Sequence, residues 1–293
     1  MLKMVILLVV TYFTSVTLNS QEINIKNEIE KACLIKIGNS IGSGCFYQDS
    51  QYLYLITAKH VLYDNKGILK GKDGYLISYP YNAMNDQADT LIINFETLHN
   101  TRNLFGSSSS DIAVGKIAKI NDLKDNKATL SYIHGIKKVD IKGSWIRSFQ
   151  KNQYDFFSAL DLGDDIYVLG FPSAIGIENT KQYDFKRPLL RKGIISGLSP
   201  KYKTFLIDCH VYGGNSGGPV IVKRDLFDFS QKGRIVRIQE LKLIGIVAEF
   251  VPFKEVWENK NYQITNIEVD NSGYAVIIPL DPAFELIKVM NNY

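Results

Sequence analysis

Residues Gly213-Gly-Asn-Ser216-Gly-Gly-Pro219, running on into Val220-Ile-Val222, decide how the chain reads. Four glycines around one serine make a turn of wide backbone freedom, and the β-branched run behind it predicts a strand. Two other stretches bear on that serine. Leu55-Ile-Thr-Ala-Lys-His60 reads as a strand running into a histidine, and Ser110-Asp111-Ile-Ala-Val114 as an aspartate opening another strand. They occur in the order His, Asp, Ser, one of the chain orders in which a nucleophilic triad is built.

A serine hydroxyl is a weak nucleophile and needs a base to take its proton during attack. His60 is suited to accept that proton and return it to a leaving amine, because an imidazole titrates near ~6.5. Asp111 is the candidate that holds the imidazole tautomer and stabilises the imidazolium. The glycines let the N–H groups of Gly214 and Ser216 converge on one point, a candidate oxyanion hole. Each motif alone has a plain structural reading: a tight turn, a strand-end histidine, a strand cap. Their conjunction in one order favours the chemistry.

The rest of the chain reads as short strands separated by turns. Cys33 to Ile37 and Gly44 to Tyr47 flank a Gly38-Asn39-Ser40 turn, and Tyr52 to Thr57 alternates like a half-buried strand. Similar runs are Tyr75–Tyr79, Thr90–Phe95 and Ile112–Ile117. After a polar stretch, Lys119–Asp164, come Ile166–Phe171, Gly193–Ser196, Phe205–Ile207, Pro219–Val222, Leu241–Phe250 and Tyr274–Pro279. Asp281 to Met290 predicts a helix, with Asp281 as N-cap, Pro282 in its first turn, and Ala283, Leu286, Ile287 and Met290 on one face. The expectation is all-β, as two units. Residues 26–120 form the first, 121–163 a linker region, and 164–293 the second with the terminal helix.

Composition agrees. The 293 residues are 45% hydrophobic and 22% charged, ordinary globular usage that argues against disorder. A net charge of +4 is too small to imply nucleic acid as a partner. Three cysteines are too few for a disulfide scaffold, and their spacing does not resemble a zinc site. No cofactor or metal is expected. At the start, Lys3 precedes the apolar run Met4–Phe13, and Thr14–Ser20 is small and polar. Residues 1–20 therefore read as a secretory signal with cleavage after Ser20, too short for a comfortable membrane span. The expected product is exported, secreted or periplasmic, without stable membrane insertion.

Thr57-Ala-Lys-His60, Asp111-Ile-Ala-Val114 and Gly214-Asn-Ser-Gly-Gly-Pro219 together resemble the chymotrypsin-like serine peptidases, most closely their bacterial, HtrA-like branch. Leu169-Gly-Phe-Pro172 and Arg191-Lys-Gly-Ile-Ile-Ser196 resemble the same branch. The resemblance implies two six-stranded antiparallel barrels with the active site between them, and protein or peptide substrates. The PDZ domain usual in that branch has no room after the terminal helix. By the same resemblance His210, six residues before Ser216, lies where the family lines the floor of the primary side-chain pocket. A histidine there in place of a carboxylate implies weak cleavage after Lys and Arg, with Glu249 a nearby acid of unread direction. Digestive members pair an aspartate just before the serine with a freshly cut N-terminus. Asn215 stands there, which implies that signal removal suffices for maturation.

The leading expectation is a serine endopeptidase acting through an acyl-enzyme. The alternatives are a catalytically silent relative that binds a protein partner, and a carbohydrate- or surface-binding β domain suggested by the 17 tyrosines. His99 and His134 read as surface residues. With a hairpin turning at Asn39, Cys33 and Cys45 face each other within disulfide reach, and Cys209 remains a thiol.

Overall fold

The computed structural model describes residues 17–21, 25–78, 88–124, 127–139, 146–173, 179, 181–184, 186–228, 234–259 and 264–292. A short strand β1 (Thr17–Gln21) and one helical turn α1 (Lys26–Ile29) open the described chain. Residues 1–16 of the segment read as a signal lie outside the described residues.

The first half holds β2 (Ala32–Ile37), β3 (Ser40–Gln48), β4 (Tyr52–Thr57), α2 (Lys59–Leu62), β5 (Asp73–Ser78), β6 (Asp89–Asn94) and α3 (Phe95–Asn100). The strands β7 (Leu104–Gly106), β8 (Ala113–Lys124), β9 (Lys127–Tyr132) and β10 (Ile136–Lys138) complete it. These nine strands form one antiparallel sheet in the order β10-β6-β5-β2-β3-β4-β8-β7, with β9 on β8. Six of them, β6-β5-β2-β3-β4-β8, make the barrel-like path; β9 pairs with β8 off that path, and β7 and β10 are short edge strands. Part of the stretch read as linker is thus folded: residues 121–124 complete β8, and residues 127–132 and 136–138 form β9 and β10. The polar composition that suggested a linker belongs to an edge hairpin, where strands need little apolar surface.

The second half holds β11 (Asp165–Gly170), β12 (Leu189–Ser199), β13 (Thr204–Asp208), β14 (Pro219–Asp228), β15 (Arg234–Asn259), β16 (Ile264–Pro279) and α4 (Asp281–Asn291). The order β15-β14-β11-β12-β13-β16 closes on itself because β15 also pairs with β16, giving a six-stranded antiparallel barrel. β1 adds a parallel edge on β15 over Arg234–Ile238, which sets Thr17–Ser20, the end of the segment read as a cleaved signal, in the sheet. The architecture is the all-β double barrel with a C-terminal helix.

Alternation explains the second core. In β11 and β13 the inward residues Ile166, Val168, Phe205 and Ile207 are buried and meet Val220, Val222, Ile244, Ala275 and Ile277. Each such large side chain contributes about 1.5–3 kcal/mol by leaving water. The helix α4 buries Ala283, Ile287 and Met290 against the first half, where Lys116 Nζ donates to the Met290 carbonyl at 3.3 Å. It therefore straps the end of the chain onto the other barrel. Its N-cap is Leu280 rather than Asp281, whose carboxylate accepts from the Phe157 N–H at 3.0 Å.

The β2–β3 hairpin corrects one expectation. Its two-residue turn, with Gly38 at φ +52°, pairs Ile37 with Ser40, so Cys33 stands opposite Gly44 and Cys45 opposite Ala32. The cysteines are offset by one residue, which in a strand means opposite faces. All three cysteines are buried free thiols, and burial pushes each thiol pKa up.

Candidate active site

His60 is delivered by β4. The strand ends at Thr57, Ala58 stays extended, and α2 turns the chain so that Val61 and Leu62 are buried while the histidine side chain stays 43% exposed. Asp111 sits between β7 and β8, anchored by buried Ile112, Ala113 and Val114 and by the Ser107 N–H bond to the Ile112 carbonyl at 2.9 Å. Lys59 Nζ holds the same loop through the Ser107 carbonyl at 2.7 Å.

The two side chains meet at two points. Asp111 Oδ2 is 2.6 Å from His60 Nδ1, and Asp111 Oδ1 accepts from the His60 backbone N–H at 2.9 Å. One carboxylate thus fixes both the ring and its backbone, leaving Nε2 as the free ring nitrogen. Burial acts to raise the Asp111 pKa, but the bonds from His60 and the charge of Lys59 outweigh it and hold the carboxyl below its ordinary value.

Ser216 lies in the turn between β13 and β14. Gly214 at φ +95° and Gly217 at φ +82° occupy the left-handed region, and a Cβ on Gly217 would run into the Ser43 carbonyl and Thr57. Only glycine fits there. The turn is closed by Asn215 N–H to Tyr212 O at 2.9 Å, Gly218 N–H to Asn215 O at 2.8 Å and Gly217 N–H to Val247 O at 2.7 Å. The N–H groups of Gly214 and Ser216 make no hydrogen bond among the described residues. Ser216 Oγ donates to the Ala248 carbonyl at 3.2 Å.

His60, Asp111 and Ser216 share one cleft of about 240 Å³, walled by Val211–Gly213 on one side and Val247–Phe250 on the other. Glu249 lines it. His210 does not: its exposed ring lies over Gly273 and beside the Tyr212 ring, centroids 6.5 Å apart. Tyr212, which lines the cleft, also carries the Arg191 guanidinium at 4.8 Å. His99 and His134 are exposed.

Two supports escaped the sequence reading. Ser43 Oγ donates to Gly214 O at 2.6 Å and accepts from Phe171 N–H at 3.0 Å, while Ser43 N–H donates to Ser216 O at 2.8 Å. Asn271 Nδ2 donates to Val211 O at 2.5 Å and pins the cleft wall to β16. Ser43 was signalled by its Gly42-Ser43-Gly44 setting, which lets backbones approach closely. Asn271 carries no such signal.

This arrangement of fold and cleft is that of a trypsin-like peptidase. The chain belongs to the trypsin-like peptidase domain family, whose model matches residues 42–225. No curated protein matches it. Among solved structures it is similar to the HtrA-type protease AlgW bound to a tripeptide, at 16% identity and TM-score 0.47, covering 91% of this chain and 62% of that one. It spans, therefore, less than two thirds of that protein. A thermostable serine protease, AL20, from an extremophilic microorganism is 13% identical at TM-score 0.48, over 91% and 99% of the two chains. Human heparin binding protein is 8% identical at TM-score 0.50, over 91% and 93%. At such identities the likeness is one of fold.

Proposed function

We propose that the protein is an exported serine endopeptidase that cuts peptide bonds through an acyl-enzyme. The observation that carries this reading is the two-point clamp of His60 by Asp111 in the cleft that also holds Ser216. Rotation of the Ser216 hydroxyl from the Ala248 carbonyl toward His60 Nε2 starts the reaction. The hydroxyl oxygen attacks the substrate carbonyl as its proton passes to Nε2, and the carbonyl oxygen becomes an oxyanion facing the N–H groups of Gly214 and Ser216. The protonated imidazole gives its proton to the leaving amine, which departs with the C-terminal product. The same histidine then takes a proton from water, whose oxygen attacks the ester; the N-terminal product leaves as a carboxylic acid and the imidazolium returns the proton to Ser216 Oγ.

Labelling with a fluorophosphonate tests the reading. One adduct per chain on Ser216, absent from Ser216→Ala and suppressed in His60→Ala, is expected; an unreactive or differently labelled chain overturns it. Export follows from the reading of residues 1–20. Protein recovered outside the cytoplasm of an expressing bacterium is expected to begin at Gln21, and a cytoplasmic chain that keeps Met1 counts against it.

A further inference from the structure

The strands β15 and β16 run on past the barrel as a two-stranded ribbon, beyond the residues matched by the family model. Pro252 to Asn259 pair with Asn271 back to Ile264 in continuous antiparallel register, a length of about 26 Å at ~3.3 Å per residue. After Ile246, the last β15 residue opposite β14, β16 is the sole strand partner of β15 among the described residues.

Residues directly opposite in an antiparallel pair share a face. The register puts Phe253, Glu255 and Trp257 on one face of the ribbon, opposite Asp270, Glu268 and Asn266 in turn. Phe253 and Trp257 are 50% and 60% exposed. Glu255 stands directly across from Glu268, and neither these two nor Asp270 has an ion-pair partner among the described residues. Like charges directly opposite destabilise a pair of strands, and a lone two-stranded ribbon has little stability to spare. Bound cationic side chains would relieve that repulsion, with the two aromatic rings beside them offering cation–π contact.

We propose that this face docks a basic segment of the polypeptide substrate, on the N-terminal side of the bond that is cut. The proposal rests on the peptidase reading above. Charge complementarity selects Lys- and Arg-bearing chain, and continuity selects the substrate itself. The strand that walls the cleft at Val247–Phe250 is the strand that carries Phe253, Glu255 and Trp257. Phe253 lies about 10 Å and Trp257 about 23 Å along it from Phe250. His60 protonates the leaving amine, so the C-terminal product departs on its side of the cleft. The acyl portion lies along β15, which holds Ala248 against Ser216. Phe253 and Trp257 are five and nine residues beyond Ala248, so basic residues about five to nine positions upstream of the bond reach the ribbon.

The test compares three fluorogenic peptides with one shared cleavage core: no extension, a Lys/Arg-bearing extension five to nine residues upstream, and the same extension downstream. The upstream peptide is expected to show about tenfold higher kcat/KM than the unextended one, mostly through KM, and to lose the advantage in high salt. The Glu255→Gln/Glu268→Gln double variant should bring that ratio to within about twofold of unity, and Trp257→Ala should lower it several-fold. A ratio near one in the wild type, a ratio untouched by the double variant, or an equal gain from the downstream peptide would each overturn the proposal. Binding separates it from the catalytic reading: Ser216→Ala protein is titrated against a fluorescent copy of the basic extension alone. Tight, salt-sensitive binding that the double variant loses supports the docking face even where no peptide is cut, and no binding refutes it even where the core is cleaved.

Discussion

Ser43 and Gly214 lie on different barrels, 171 positions apart, yet the Ser43 hydroxyl donates to the Gly214 carbonyl at 2.6 Å and is fully buried there. The same oxygen accepts from Phe171 N–H, and the Ser43 amide donates to Ser216 O. The turn that carries Ser216 is thus bolted to the barrel that supplies His60. Replacing Ser43 by Ala leaves a buried carbonyl and a buried N–H without that partner, at a cost of about 1–3 kcal/mol for each group left unmet. The expected outcome is a melting temperature lower by several degrees and a kcat that falls more than KM rises, because the proposed oxyanion donors Gly214 and Ser216 lose their support. Calorimetry and steady-state kinetics on one preparation check both; a kcat equal to wild type removes Ser43 as a positioning residue.

For Ser216, the proposed nucleophile, replacement by Ala should abolish turnover while leaving the melting temperature nearly unchanged. The hydroxyl sits at a partly exposed cleft, and its one hydrogen bond among the described residues goes to Ala248. His60→Ala should be about as damaging, because members of such a unit are non-additive. A double variant no worse than either single one is the signature, and residual rates above about one in a thousand in Ser216→Ala would move the nucleophile elsewhere.

Asp111 ties activity to stability. Its folded pKa lies below its unfolded value, so the stability it contributes is present above the unfolded value and is lost as pH falls through the folded one. Asp111→Asn keeps an oxygen for the His60 amide but removes the charge facing Nδ1. Turnover should drop by about 10⁴. The melting temperature of the variant, measured from pH 6 down to pH 2, should fall less steeply than that of the wild type. Parallel curves would mean that the carboxylate contributes nothing through its ionisation.

Asn215 bears on activation. Its side chain is 1% exposed and its Oδ1 meets no donor among the described residues. A charge placed there would be buried without a partner, so Asn215→Asp should destabilise the protein at pH 7 and recover as pH falls and the carboxyl protonates. For the wild type, residues 21–293 made without any leader should be active at once. A requirement for a second cut near residues 21–35 would show that this turn is ordered by a new N-terminus after all.

Much of this was legible because one-sided burial writes itself into alternating residues. Tyr52–Thr57, Phe205–Ile207 and Tyr274–Pro279 all became strands, and His60, Asp111 and Ser216 share one cleft. What escaped has physical reasons. The Cys33–Cys45 offset depends on whether the turn holds two residues or three, and one residue inverts every face of a strand. The ribbon of β15 and β16 carries apolar and charged residues on both faces, so no alternation marks it. Ser43 acts across 171 positions, a relation that only folding creates.

Side-chain preference is where the structure moves the expectation furthest. A histidine at position 210 implied a pocket floor without negative charge; its ring lies over Gly273 and beside Tyr212, while Glu249 lines the cleft that holds the triad residues. Asp111, the other carboxylate lining it, is engaged by His60. Glu249 therefore provides the carboxylate left to meet a substrate cation, and it is exposed, so its attraction is modest and screened by salt. Substrates with Lys or Arg next to the cut bond should be accepted, and Glu249→Gln should lower their kcat/KM about two- to fivefold relative to an apolar analogue. His210→Ala should leave that ratio unchanged, and should leave the pH profiles of acidic and apolar substrates parallel. Should Glu249→Gln leave the ratio intact while His210→Ala shifts it, the pocket is read from the wrong side of Tyr212, and the histidine regains the role that its position in the sequence implied.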